Sequence, residues 1–96
     1  MSAFSAFQLD SEAAIQQLAR AARLKVTRGW FVDPLDCVAV GIKLTAGNFV
    51  FWLYDDGAQI VDGATHHRFE VESYRSLEEL KIHYLHEVQS LIYRAI

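Results

Sequence analysis

The run Asn48-Phe49-Val50-Phe51-Trp52-Leu53-Tyr54 decides how this chain folds. Large apolar side chains follow one another from Phe49 to Tyr54 without a polar break. In an extended strand they alternate, so Phe49, Phe51 and Leu53 take one face and Val50, Trp52 and Tyr54 the other. A strand with one wet face alternates polar and apolar residues instead. This strand therefore expects apolar cover on both sides.

Reading outward, the preceding segment from Asp36 to Thr45 alternates Val38, Val40, Ile42 and Leu44 with Cys37, Ala39, Gly41 and Lys43. Further strand patterns cover Leu24–Val32, Ala58–Val61 and Thr65–Glu72. Gly29 is a candidate bulge in the first of these, and Asp33-Pro34 ends it. Thr45-Ala46-Gly47, Asp55-Asp56-Gly57 and Asp62-Gly63 are short enough for hairpins. Consecutive hairpins give an antiparallel meander of four to five strands.

Two registers are open at the central hairpin. A two-residue Ala46-Gly47 loop sets Leu44 opposite Phe49 and Ile42 opposite Phe51, with Trp52 over Gly41 and Tyr54 over Ala39 on the far face. A three-residue loop with Gly47 in a bulge turns Val50, Trp52 and Tyr54 toward the core instead. Either way, large aromatics lie opposite the small residues Ala39 and Gly41, which predicts a shallow aromatic-lined hollow.

A helical pattern lies on each side of the strands. In the first, Ala14, Ile15, Leu18, Ala19 and Ala22 form a narrow apolar stripe. Asp10 or Ser11 would cap it, with Leu9 stapled onto Ala14. In the second, Ser76 and Glu79 read as a capping box. There Leu77, Leu80, Tyr84, Val88, Leu91 and Ala95 recur at three- and four-residue steps. Ile82 and Tyr93 fall nearly on the back of that helix. The expected fold is a single α+β domain over 1–96, in the order α-β-β-β-β-β-α, with both helices on one sheet face.

Composition narrows the function classes. The chain has 96 residues, 52% of them hydrophobic and 22% charged, which excludes a disordered or low-complexity polymer. No apolar run is long enough for a membrane-spanning helix, and the N-terminus lacks the basic start of a signal peptide. One cysteine, Cys37, allows no internal disulfide and points to a reducing cytoplasm. The net charge of −3 disfavours nucleic acid as a partner. The charge is uneven. Residues 1–32 carry +2, residues 33–64 carry −4 and residues 65–96 carry −1. Arg20, Arg23, Lys25 and Arg28 are candidate anion contacts, against the alternative of helix-end cations that complement the dipole.

Catalytic and metal constellations are thin. His66 and His67 are neighbours on a strand and point to opposite faces. His83 and His86, three residues apart on a helix, could face one metal, but the helical wheel puts them toward solvent. A metal site needs more ligands and an oriented second layer of hydrogen bonds. Cys37 stands among aspartates, which disfavour a reactive thiolate. Asp55-Asp56 sits at an exposed hairpin tip. No phosphate loop, dinucleotide fingerprint, zinc-protease helix or nucleophile elbow occurs. No catalytic residue, metal or cofactor is therefore expected.

The expected function is that of a small non-enzymatic interaction protein. It self-associates, most simply as a homodimer, and binds another macromolecule as an inhibitor or accessory factor. Trp30, Gly41, Val50, Phe51, Trp52, Tyr54, Ile82 and Tyr93 are the candidate contacts. The alternative is a small-molecule module whose apolar pocket is lined by Trp30, Phe51, Trp52, Tyr54 and Tyr84.

Overall fold

The computed structural model describes residues 4–32 and 39–95, and within these the backbone alone of residues 39 and 40. Its elements are α1 (Ala6–Ala21), β1 (Val26–Val32), β2 (Ala39–Ala46), β3 (Phe49–Leu53), β4 (Gly57–Asp62), β5 (Thr65–Glu70), a single 3-10 turn (Val71–Ser73) and α2 (Leu77–Arg94). The strands form one open antiparallel sheet in the order β1-β2-β3-β4-β5. This is the α+β meander expected from the strand and helix patterns.

The central hairpin takes neither of the two expected registers. Ala46 pairs with Phe49, Leu44 with Phe51 and Ile42 with Leu53, so the turn is Gly47-Asn48. Gly47 has φ +58, a backbone that glycine adopts without steric cost. Ala46 thus stays in the strand and avoids a left-handed conformation. The face assignment of the two-residue loop survives, but every pairing moves. Trp52 stands beside Lys43 rather than Gly41.

Phe49, Phe51 and Leu53 face the helices, with Ile42, Leu44 and Ala46 on one side and Ala58 and Ile60 on the other. The core closes over them with Phe7, Ile15 and Ala19 from α1 and Leu80, Tyr84, Val88, Leu91 and Ile92 from α2. Burying an aliphatic or aromatic side chain contributes about 1.5–3 kcal/mol, so this one cluster supplies most of the driving force for folding. Two hydrogen bonds tie helices to sheet. Gln8 Nε2 donates to the Leu53 carbonyl at 3.1 Å, and Tyr84 Oη donates to the Gln59 carbonyl at 3.2 Å.

The helices lie on the same sheet face and run the same way. Lys81 near the start of α2 meets Asp10 in α1 at 3.9 Å, while Leu24, just past α1, lines a hollow with Leu91 and Arg94 at the end of α2. The first helix begins earlier than Asp10. Ser5 is its cap, accepting from the Gln8 backbone N–H, while the Gln8 side chain accepts from the Ser5 N–H at 2.8 Å. The Ser-x-x-Gln capping box places Asp10 and Ser11 inside the helix. At the second helix, Ser76 caps as expected, accepting from the Glu79 N–H at 3.1 Å, but the reciprocal bond from the Glu79 side chain that would complete the box is not formed. The last strand also stops sooner than Glu72, because Val71–Ser73 turn into the 3-10 segment that leads to α2.

Candidate binding surface

The second sheet face is built from the residues that alternate with the core. Paired positions share a face, so Thr27, Gly29 and Phe31 of β1 lie with Thr45, Lys43 and Gly41 of β2. Val50 and Trp52 of β3 follow, then Gln59 and Val61 of β4, then His66 and Arg68 of β5. Both helices pack on the opposite side, and among the described residues none covers this face.

Its centre is an aromatic cluster. Phe31 pairs with Gly41, and its ring fills the space that a side chain at Gly41 would need. The same ring meets Trp52 edge-on at 5.2 Å between centroids, and Tyr54 edge-on at 5.3 Å. Edge contacts of this kind are worth about 0.5–1.5 kcal/mol beyond the area they bury. Lys43 Nζ sits 5.1 Å from the centre of the Trp52 ring, a cation held against a π face. Gln59 Nε2 and His66 Nδ1 are 3.1 Å apart. Together Phe31, Lys43, Val50, Trp52, Tyr54, Gln59, Val61 and His66 line a shallow hollow of about 570 Å3. The floor is apolar, and its polar margin carries Lys43 and His66. Next to it, Tyr54 and Gln59 also border a second hollow, where Arg68 stands with the acids Asp56, Glu70 and Glu72.

The structure brings Gly41, Val50, Trp52 and Tyr54 together here and separates the remaining candidates. Phe51 is fully buried in the core, as is Tyr84. The pocket expected from Trp30, Phe51, Trp52, Tyr54 and Tyr84 does not form, because these residues divide between the two sheet faces. Trp30 pairs with Ile42 and so lies on the helix side of β1, where it is 62% exposed. Ile82 and Tyr93 are 60% and 53% exposed on α2, away from the sheet. Ile82 borders a groove between the helices with Leu18, Leu85 and His86.

The basic residues do not converge. Arg28 is ion-paired with the nearly buried Glu12 and lies over the Phe4 ring, 5.6 Å from its centre. Arg20 stands in the last turn of α1. Arg23, at φ +60, ends that helix in a Schellman arrangement. Leu24 N–H donates to the Ala19 carbonyl at 2.8 Å, and Arg23 N–H to the Arg20 carbonyl at 3.0 Å. Lys25 is exposed beyond it. These cations serve a helix end and one ion pair, and form no anion cradle.

Among the described residues, no group of three or more His, Cys, Asp or Glu side chains is placed to hold a metal ion. His83 and His86 are exposed, and His83 packs edge-on against Tyr74 at 5.3 Å. Cys37 lies outside the described residues, as do Asp33, Pro34 and Asp36. No described helix is long and apolar enough to cross a membrane.

Phe31, Lys43, Gln59, Val61 and His66 are the surface residues that sequence reading missed. Their signal was present in part. Lys43 is the one charge within the otherwise apolar or small Val38–Leu44 run, and a glycine in mid-strand calls for a large neighbour. Comparison of the chain with protein-family models, with curated proteins and with solved structures finds no match.

Proposed function

We propose that this protein is a non-enzymatic interaction protein that self-associates and binds another macromolecule, acting as an inhibitor or accessory factor. The observation that carries the reading is the sheet face opposite the helices, with Trp52, Tyr54 and Phe31 gathered at its centre and, among the described residues, no helix over it. Aromatic side chains held in place by their neighbours make good anchors, because little conformational freedom is lost when a partner covers them. Lys43 and Arg68, the cations on this face, favour a protein surface whose apolar side chains are framed by carboxylates. The net charge of −3 argues against nucleic acid in that role. The lone cysteine supports a reducing cytoplasm as its compartment.

The test is capture of partners by the wild-type chain beside Trp52→Ala and Lys43→Glu variants, followed by measurement of affinity for whatever the wild type retains. Loss of more than about 1 kcal/mol in Trp52→Ala is expected of an anchor, with a weaker and salt-dependent loss in Lys43→Glu. Equal affinity in all three proteins would remove the sheet face from the reading. A second reading is a small-molecule site in the same hollow, since about 570 Å3 falls in the range of ligand pockets. A thermal-shift screen with anionic aromatic compounds separates the two.

A further inference from the structure

The two edges of the sheet are built differently. The β5 edge is Thr65-His66-His67-Arg68-Phe69-Glu70, guarded by charged and titratable side chains. Guarding of this kind keeps a row of unpaired backbone groups from templating another strand. The β1 edge is Val26-Thr27-Arg28-Gly29-Trp30-Phe31-Val32. Its one charge, Arg28, is neutralised by Glu12. Among the described residues no strand pairs with its outer side. Of the five large hydrophobic residues that stand exposed among the described residues, two are on it, Trp30 at 62% and Val32 at 44%.

Gly29 gives the independent observation. Glycine in mid-strand weakens a sheet and needs a reason. The bulge that sequence reading offered is not there. Gly29 pairs regularly with Lys43, and the irregularity falls between Phe31 and Val32. Its φ is one that any residue adopts, and a Cβ at this position would meet nothing nearer than the Lys43 carbonyl at 4.0 Å. Nothing within the described chain requires glycine here. A bare backbone at the middle of an exposed edge leaves room for a second strand to approach closely at that point.

We propose that β1 is the self-association edge, pairing antiparallel with β1 of a second copy about a two-fold axis at Gly29. The inference rests on the self-association part of the proposed function and leaves the aromatic sheet face free. Centring the axis at Gly29 makes the strand complementary to itself. Val26 then faces the partner's Val32, Thr27 faces the partner's Phe31, and Arg28 faces the partner's Trp30. The apolar ends meet, and a guanidinium lies beside an indole, a favourable cation–π pair. The two arginines do not face each other, and each keeps its own glutamate. The result is a continuous ten-strand sheet with both aromatic hollows on one side, an isologous contact that closes on itself.

The test uses sedimentation of the full chain at micromolar concentration, with Trp30→Lys, Val32→Lys and Trp52→Glu variants checked for folding by circular dichroism. The wild type is expected at twice its 10.9 kDa chain mass. Each edge lysine should weaken the dimer by more than about tenfold, and Trp52→Glu should leave it intact. Independently, Gly29→Cys in a Cys37→Ser background should form an intermolecular disulfide under mild oxidation, because opposed residues stand about 4.5–5.5 Å apart at Cα. His67→Cys in the same background, on the guarded edge, should not. A dimer that survives both edge lysines and falls apart with Trp52→Glu overturns this proposal while leaving self-association standing. A wild type that sediments only as a monomer overturns both.

Discussion

The ring of Phe31 occupies the place where a side chain at residue 41 would begin. The two residues are directly paired across β1 and β2, so the glycine is what allows the ring to lie flat on the sheet. With the ring in place, Trp52 and Tyr54 have an edge to pack against.

Gly41→Ala should therefore displace the ring and dismantle the cluster while sparing the core on the other face. The expected cost is about 1 kcal/mol, the scale of the lost edge contacts. In a Phe31→Ala background the same change should cost nothing, since alanine suits a strand better than glycine. Denaturant unfolding of the four proteins in a double-mutant cycle checks this. Additive effects would mean that the ring and the glycine are not coupled.

Arg23→Gly should stabilise the protein. Arg23 holds φ +60 at the end of α1, where an L side chain is strained and glycine is not. Set against the greater freedom of glycine in the unfolded chain, the net gain is about 0.5–1 kcal/mol. For a domain of this size that raises the melting temperature by about 2–8 °C in calorimetry. Arg23→Ala should give no comparable gain, because alanine retains the Cβ.

Tyr84 should make the fold sensitive to alkali. Burial pushes its hydroxyl well above the usual tyrosine range, with a smaller upward push from the Tyr54 charge. The folded pKa is raised, so the neutral phenol's contribution is complete below the unfolded value of about 10 and is lost as pH rises above it. The slope approaches about 1.4 kcal/mol per pH unit from this group. Ultraviolet titration should find one of the four tyrosines silent until the protein unfolds. Tyr84→Phe should flatten that part of the alkaline loss, at a cost of about 1 kcal/mol near neutrality from the missing bond to the Gln59 carbonyl.

Ser11→Ala should raise stability. Ser11 is fully buried in α1, and its hydroxyl oxygen has no hydrogen-bond partner. Removing an unsatisfied buried hydroxyl recovers about 1 kcal/mol, and alanine is the better helix former by a few tenths. Thermal unfolding of the single variant decides it. A loss of stability would show that the hydroxyl has a partner in solution.

The elements were legible because their signals are local. Alternation from Val40 to Leu44, the glycine- and aspartate-marked turns and the three- and four-residue steps of α2 are each read within a short stretch of sequence. The start of α1 was misread because Leu9, Asp10 and Ser11 imitate a staple and cap, while the operative pair, Ser5 and Gln8, lies one turn earlier. The hairpin register escaped because it depends on which residue takes positive φ. Gly47 takes it with Asn48 as the second turn residue, which keeps Ala46 in the ladder. The aromatic surface was half legible. Alternation paired Trp52 with Tyr54, but Phe31 belongs to another strand. Only the registration of β1 on β2, set by side chains far apart in sequence, brings its ring over Gly41.

The side-by-side course of the two helices has a consequence for synthesis. Asp10 in the first helix meets Lys81 in the second from the far side of the whole meander in sequence, and all five strands precede α2. On the ribosome the meander can therefore be complete while half its roof is missing. During that interval Phe51, Leu53, Ala58 and Ile60 form an open apolar floor beside unpaired strand edges, the kind of surface on which nascent chains aggregate. The wait for α2 is the interval in which folding factors that shield apolar sheet surfaces would act.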